Sequence, residues 1–334
     1  MTSGNNQTPS GAGKEQVMAD IHVVVGAGAL GSAVAAELVR RGQQVRVVNR
    51  TGSARIDGVQ AVAADATDTQ ALRRAFRDAA VVYQCAQPAY HRWVDEFPRL
   101  QDGIIDAAAA ASASIVIADN LYSYGDPQGR VITEKSSETT TTRKGIVRRQ
   151  MAAKALAAHE AGRLQVALSR PSHYFGPGYD QVGSMVFIPA LRGKAMRLLG
   201  RTDQPHSFSY VPDAGAAMAE LGVSGAGWGR VWIPPVQPAV SQAEFGARIW
   251  AAAGQSGKPR IQALSRRMAG VIGLFSPTVR ELTEMMYEFE KPYVVDSSAF
   301  ESTFGARPTP MDDAIATTIA WYRTGDATAR RVAA

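Results

Sequence analysis

Residues 118–125 read ADNLYSYG. An apolar run, Ser114 to Ala118, leads into Asp119 and Asn120, and Tyr122 and Tyr124 follow. Polar and aromatic groups at the end of a buried strand often face a site, and a phenol there can exchange a proton with a ligand. His173 follows a second apolar run in RPSH, and an imidazole carries a proton near physiological pH. A third stretch, GAGALG at 26–31, has glycines spaced to bring backbone N–H groups around a phosphate. Proton transfer beside a phosphate-bearing small ligand is the chemistry these residue types permit.

Such groups need strands and helices to position them. Ile21–Val25 is a short β-branched run, the pattern of a buried parallel strand. GAGALG comes next, then an Ala/Leu-rich helix to Arg41 with Gly42 as its stop. Further strands are predicted at Val45–Val48, Val59–Ala64, Ala80–Ala86, Ile115–Ala118 and Leu164–Leu168. Helices are predicted at Thr69–Phe76, Trp93–Ala111 and Lys144–Ala161. The alternation implies an α/β fold, a doubly wound parallel sheet. After Pro171 the rhythm breaks, with Pro and Gly clustered in RPSHYFGPG, and a last amphipathic helix is expected over Pro310–Arg323. This part reads as a smaller C-terminal substrate lobe. Its Met185, Phe187, Met196, Phe208, Trp228, Trp232, Met285, Met286 and Tyr287 are mostly core in this reading, with an apolar pocket if several face the cleft.

Composition narrows the function classes. The chain has 334 residues, 46% of them hydrophobic, enough for one large or two modest cores. No apolar run is long enough for a membrane span. The polar start, MTSGNNQTPSGAGKEQ, lacks the basic flank and apolar stretch of a secretory signal. Residues 1–18 are expected to be a disordered tail, and residues 1–17 to be dispensable for folding and cofactor affinity. The single cysteine, Cys85, permits no internal disulfide, which suits a cytoplasmic protein. Net charge is +6, with basic residues scattered or paired rather than in a run, so nucleic acid is not expected. The expected partner is a small-molecule substrate, with neither nucleic acid nor membrane, and a homodimer stays open. No His/Cys/carboxylate spacing suggests a metal site.

GAGALG follows a predicted strand and opens a helix, which raises a weak motif to a useful one. Gly26 permits the tight turn, Gly28 lets the backbone approach a pyrophosphate, and Gly31 lets the helix pack close to the strand. Ala29 and Leu30 begin the helix whose free N–H groups meet the phosphates. The second strand ends in Asn49 and Arg50, where an NAD site usually has a carboxylate for the ribose 2′-hydroxyl. A neutral amide removes repulsion of a 2′-phosphate and a guanidinium can grip it, so NADP(H) is expected over NAD(H). Asp65 ends the third strand, followed by Ala66. It is either an adenine contact or a turn aspartate.

GAGALG, ADATD at 64–68, YQCAQP at 83–88, YG at 124–125, RPSHYFGPG at 170–178 and FSYVPDAG at 208–215 together resemble the extended short-chain dehydrogenase/reductase family, the NAD-dependent epimerase/dehydratase group. The resemblance implies a Rossmann-type dinucleotide-binding domain over residues 19–175, completed by later segments, with 176–330 mainly a substrate-binding lobe. It places Asp65, Ala66, Ala86 and Gln87 along the cofactor. The family's Ser or Thr before Tyr-Gly is Asn120 here, and its Tyr-x-x-x-Lys pair is replaced by Lys144 and Arg148 in KGIVR. No tyrosine lies between Tyr124 and Tyr174, so no shift of alignment restores the pair.

The resemblance therefore implies cofactor binding with an atypical proton donor. The candidates for catalysis are Tyr122, His173, Asn120 and Lys144. Asn120 would orient a carbonyl or water. Lys144, repelled by Arg148, could act as an acid, or it is a solvent-side lysine at a helix start. Arg148 could hydrogen-bond the nicotinamide ribose. Tyr90, His91 and Trp93 are expected near the same cleft. The implied activity is hydride transfer to or from a small carbonyl, imine or alkene. A non-redox isomerase, lyase or dehydratase, or a dinucleotide-sensing regulator, is the alternative.

The cofactor reading has a direct test. If Arg50 grips the 2′-phosphate, Arg50→Ala removes charge-assisted hydrogen bonds worth roughly 1.5–3 kcal/mol, about 10–100-fold in NADPH affinity, and barely changes NADH. Equal affinity of the wild-type protein for the two cofactors by calorimetry would overturn it.

Overall fold

The computed structural model describes residues 20–332, so the expectation of a disordered tail lies outside the described residues. Seven parallel strands form the main sheet: β1 Ile21–Val25, β2 Gln44–Asn49, β3 Val59–Ala63, β4 Ala79–Gln84, β5 Ser114–Ala118, β6 Val166–Ser169 and β7 Arg230–Trp232. Their order is β7-β6-β5-β4-β1-β2-β3, every pairing parallel. The order reverses between β1 and β4, and ligands bind open α/β sheets at the carboxyl ends beside such a switch point.

Helices cover both faces, which is why β1, β5 and β6 are near-continuous apolar runs. On one face lie α1 Ala29–Arg40 and, later in the chain, α5 Val211–Ser224. Small residues bring these two helices together: a Cβ on Gly215 would lie 2.6 Å from the Cβ of Ala33. The other face carries α2 Thr69–Ala75, α3 Trp93–Ala110 and α4 Arg143–Glu160. Ile104, Ile115, Ile117, Ala155 and Leu168 are buried between that layer and the sheet. Side chains start the helices where the sequence supplies them: Asp68 accepts from Gln70 and Ala71 of α2, and the Thr142 hydroxyl accepts from Gly145 of α4. The Thr142 cap sets the start of α4 and places Lys144 at its second residue.

The C-terminal lobe has its own core. Phe175, Phe187, Met196, Phe208, Phe245, Ile249 and Ile315 pack between α6 Gln242–Ala252 and the terminal helix Met311–Val332. Between α6 and that terminal helix the chain forms several short helices, among them α7 Arg266–Gly273 and α8 Pro277–Leu282. A third cluster, Leu121, Tyr124, Ile132, Met285, Tyr287 and Tyr293, joins the lobe to the end of β5.

Differences from the expected elements have local causes. The fourth strand stops at Gln84 rather than Ala86, because Gly26 crosses over Ala86: a Cβ on Gly26 would be 2.8 Å from the Ala86 nitrogen. The last helix runs past Arg323 to Val332, since nothing in GDATARRV stops it. β7 is too short, at three residues, to carry a readable period.

Candidate active site

The glycine loop has the geometry a phosphate needs. Gly26 has φ 103°, a left-handed value open to glycine, and a Cβ on Gly31 would lie 1.9 Å from the Gly26 oxygen. A Cβ on Gly28 would meet nothing within 4 Å, so space stands open in front of α1. Gly28 is also the cap of α1 and offers no side-chain partner to its first N–H groups. Ala29 and Leu30 form the first turn behind it. An open cradle at an uncapped helix start fits an anionic phosphate. Nearby, Gln84 is buried with neither amide atom hydrogen-bonded, and burial raises the Cys85 thiol to about 12, so it is a poor nucleophile. Ala86 and Gln87 continue the chain beyond them, alongside Gly26.

At the end of β2, Asn49 builds a turn. Its amide nitrogen donates to the Ser53 carbonyl at 2.6 Å, and its oxygen accepts from the Thr51 N–H at 3.0 Å and hydroxyl at 2.9 Å. That turn leaves Arg50 exposed. Asp65 likewise accepts from the Thr67 N–H and hydroxyl, at 2.9 and 2.8 Å. These bonds lower its pKa, with a smaller contribution from the Arg50 charge. Asp65 Oδ1 therefore closes a turn that contains Ala66.

The ends of β5 and β6 carry a buried ion cluster. Asp119 Oδ1 accepts from Arg148 Nε at 3.0 Å and from Nη2, and Oδ2 accepts from Arg170 Nε at 2.7 Å. Arg170 Nη1 reaches Glu138 at 2.7 Å, and Ser123 donates to the same carboxylate oxygen at 3.2 Å. Burial pushes the Asp119 carboxyl up, but Arg170 and Arg148 outweigh it and hold the pKa below its usual value. Arg148 also donates to the Ala118 carbonyl and lies over the Phe97 ring. Its Nε and Nη2 thus serve Asp119 and Ala118.

The four proton-donor candidates differ in how free they are. Asn120 accepts from the Tyr122 N–H at 3.2 Å and so caps the short turn Leu121–Tyr124. Lys144 is fully buried, which corrects the solvent-side reading. Its ammonium pairs with Glu281, lies 3.4 Å from Glu284 and sits 4.7 Å over the Tyr90 ring. Glu284 also accepts from the Arg143 and Lys144 backbone N–H groups, placing negative charge at the start of α4. His173 has both ring nitrogens engaged, Nε2 with Glu288 at 3.1 Å and Nδ1 with His206 Nε2 at 2.9 Å. Glu288 in turn accepts from the Tyr293 hydroxyl at 2.9 Å. Burial, then His173, lowers the His206 pKa well below its ordinary value, so His206 is neutral.

Tyr122 is placed differently. Its hydroxyl faces that of Tyr90 at 3.3 Å, and its ring lies beside Trp93. Burial raises both phenols above the ordinary range, so both stay protonated. Two hydroxyls sharing one hydrogen bond leave one O–H to donate elsewhere. The structure thus brings Tyr122, Tyr90, Trp93 and Lys144 together. It wires His173 into a separate network. The acidic partners Glu281, Glu284 and Glu288 lie more than 100 residues from Lys144 and His173, so no local signal in the sequence points to them. Among the described residues no cluster of His, Cys, Asp and Glu could hold a metal ion.

The NAD dependent epimerase/dehydratase family model matches residues 22–221. No curated protein matches the chain in sequence. Solved structures share the fold. One is a dTDP-glucose 4,6-dehydratase from Streptomyces venezuelae with NAD and TYD bound, 16% identical with TM-score 0.75, covering 91% of this chain and 97% of that one. A second is a UDP-glucose 4-epimerase from Thermotoga maritima with UDP-glucose, 16% identical with TM-score 0.74, covering 91% and 99%. A third, MoeE5 in complex with UDP-glucose and NAD, is 22% identical with TM-score 0.73, covering 92% and 99%.

Asp119→Asn should expose how much rests on the ion cluster. It leaves two buried guanidinium groups short of charge, a loss of about 3–5 kcal/mol for a broken buried pair. The native pKa of Asp119 is depressed, so its stabilisation is complete above about pH 4 and fades as the pH falls through the lower native value. Denaturant melts should show a lower midpoint for the variant at pH 7 and a flatter decline on acidification. A loss under about 1 kcal/mol would show that the cluster does not hold the strand ends.

Proposed function

Because the chain belongs to the NAD dependent epimerase/dehydratase family, we propose that it is an NADP(H)-dependent oxidoreductase that moves a hydride to or from a small carbonyl, imine or alkene, with Tyr122 supplying the proton. The open cradle at Gly28 and the start of α1 would hold the pyrophosphate, and Arg50 the 2′-phosphate. A nicotinamide bound there would supply the hydride.

The observation that carries this reading is the Tyr90–Tyr122 hydroxyl pair. Lys144, His173 and Asn120 are bound to protein partners, whereas this pair has one O–H to give. A phenol held protonated by burial is a donor, which is what a substrate oxygen or nitrogen needs as it gains negative charge. Lys144, over the Tyr90 ring, places positive charge behind the pair. Tyr90 is a positioning residue in this arrangement, and the Lys144–glutamate pairs fix the ammonium in place.

The test is a screen of carbonyls and imines for substrate-dependent loss of absorbance at 340 nm with NADPH. With a substrate in hand, Tyr122→Phe should lower kcat by more than about tenfold and leave NADPH affinity within about threefold. His173→Asn should reduce turnover less and weaken the fold instead, because it leaves Glu288 buried with one partner fewer. Full turnover by Tyr122→Phe would refute the role of the tyrosine pair. Turnover without net NADPH loss would mark an isomerase, lyase or dehydratase, and cofactor binding with no turnover of any substrate would mark a dinucleotide sensor.

A further inference from the structure

Helices α7 and α8 form a hairpin that projects from the C-terminal lobe. Its inner face is packed: Ala269 is fully buried, and a Cβ on Gly273 would lie 2.9 Å from the Arg280 Cα. Its outer face and tip carry the three most exposed large apolar side chains among the described residues. Phe275 is 87% exposed, Leu274 76% and Val271 63%, with Met268 and Ile272 also open. Exposed apolar residues scattered singly need no explanation, but five on one hairpin form a patch that marks a contact surface.

The charge around the patch decides what would cover it. From Phe245 to Arg280 the chain contains no aspartate or glutamate, while it contains Arg248, Lys258, Arg260, Arg266, Arg267 and Arg280. Arg248 pairs with Glu244 and Asp312, and Arg266 with Glu290. The other four make no salt bridge to a described residue. The hairpin's own acid, Glu281 on α8, and the next one along the chain, Glu284, are turned inward onto Lys144 and the start of α4. The hairpin, residues 266–282, therefore carries an apolar tip and three arginines against one acid, and of these arginines Arg267 and Arg280 make no salt bridge to a described residue.

We propose that the α7–α8 hairpin docks on an anionic lipid surface, with Val271, Leu274 and Phe275 entering the headgroup–acyl boundary and Arg267 and its basic neighbours meeting the lipid phosphates. An apolar face rimmed by Arg and Lys is the composition that binds at such an interface. A second copy of the chain fits less well, because a two-fold contact through this face sets like charges against each other. Nucleic acid would satisfy the cations but leave the apolar tip in water. The sequence expectation of no membrane rested on the lack of a spanning segment. No helix among the described residues is long and apolar enough to cross a membrane, and surface docking needs none.

Sedimentation of the full chain with vesicles tests the proposal. The wild-type protein should pellet with phosphatidylcholine vesicles containing about 30% phosphatidylglycerol, and not with phosphatidylcholine alone. The Leu274→Ser/Phe275→Ser double variant should partition at least about tenfold less, and Arg267→Glu should lose much of the preference for anionic vesicles. These side chains are exposed, so circular dichroism and the thermal midpoint should match the wild type, which separates lost docking from lost folding. Failure of the wild-type protein to pellet with anionic vesicles would overturn the proposal. So would pelleting that the double variant leaves unchanged. A dimer that the double variant dissociates, without vesicle binding, would assign the hairpin to self-association.

Discussion

A buried charge must be neutralised where it sits, and this fold solves that problem around one carboxylate. Asp119 ends the central strand β5 and is gripped by Arg148 from α4 and Arg170 from the end of β6. Arg170 carries the link on to Glu138 in the loop before α4, and Glu138 holds Ser123. One cluster thus ties together a strand, its neighbour, a covering helix and the turn that carries Tyr122. None of these groups can move far without stranding a charge away from water. The precision of the tyrosine pair derives from this electrostatic knot rather than from the short turn Leu121–Tyr124, which alone has little to hold it.

The rest of the cleft follows the same logic of committed charge. Glu281 and Glu284 arrive from the C-terminal lobe and settle on Lys144 and the positive end of α4. Glu288 arrives from the same lobe and takes His173 and Tyr293. The lobe is therefore fastened over the sheet by three carboxylates from residues 281–288, each meeting a group near the end of β5 or β6. Lys144 and Arg148, one turn apart on α4, are both held by carboxylates from elsewhere in the fold.

Much of the nucleotide half was legible because its signals are local. The alternation of apolar strands with helices and the GAGALG turn declare themselves within a few residues. The family resemblance carried the C-terminal lobe as a unit but not its contacts. The burial of Lys144 and the protein partners of Arg148 were not legible for one reason: those partners lie across the fold, at Asp119, Glu281 and Glu284. Residue type showed that these side chains were charged, and only the folded chain shows which charges they meet. Asp65 was ambiguous for the opposite reason, since an adenine contact and a turn cap begin with the same residue. Thr67 occupies one carboxylate oxygen, and the turn it closes is compatible with a contact made by the other.

The short strand β7 bears on how the protein is made. It pairs with β6, a strand buried along its whole length, yet it follows β6 by some sixty residues that build part of the other lobe. The Arg170 N–H also donates to the Trp232 carbonyl at 2.7 Å, so the backbone beneath the Asp119 cluster is held by that late strand. A chain emerging from the ribosome would carry an open, apolar sheet edge until Trp232 appeared, and unpaired edges invite pairing with other chains. The main sheet is thus not a unit that folds first and waits: its outer strand arrives only after much of the lobe has been synthesised, and a cut between the two would leave β6 without that neighbour.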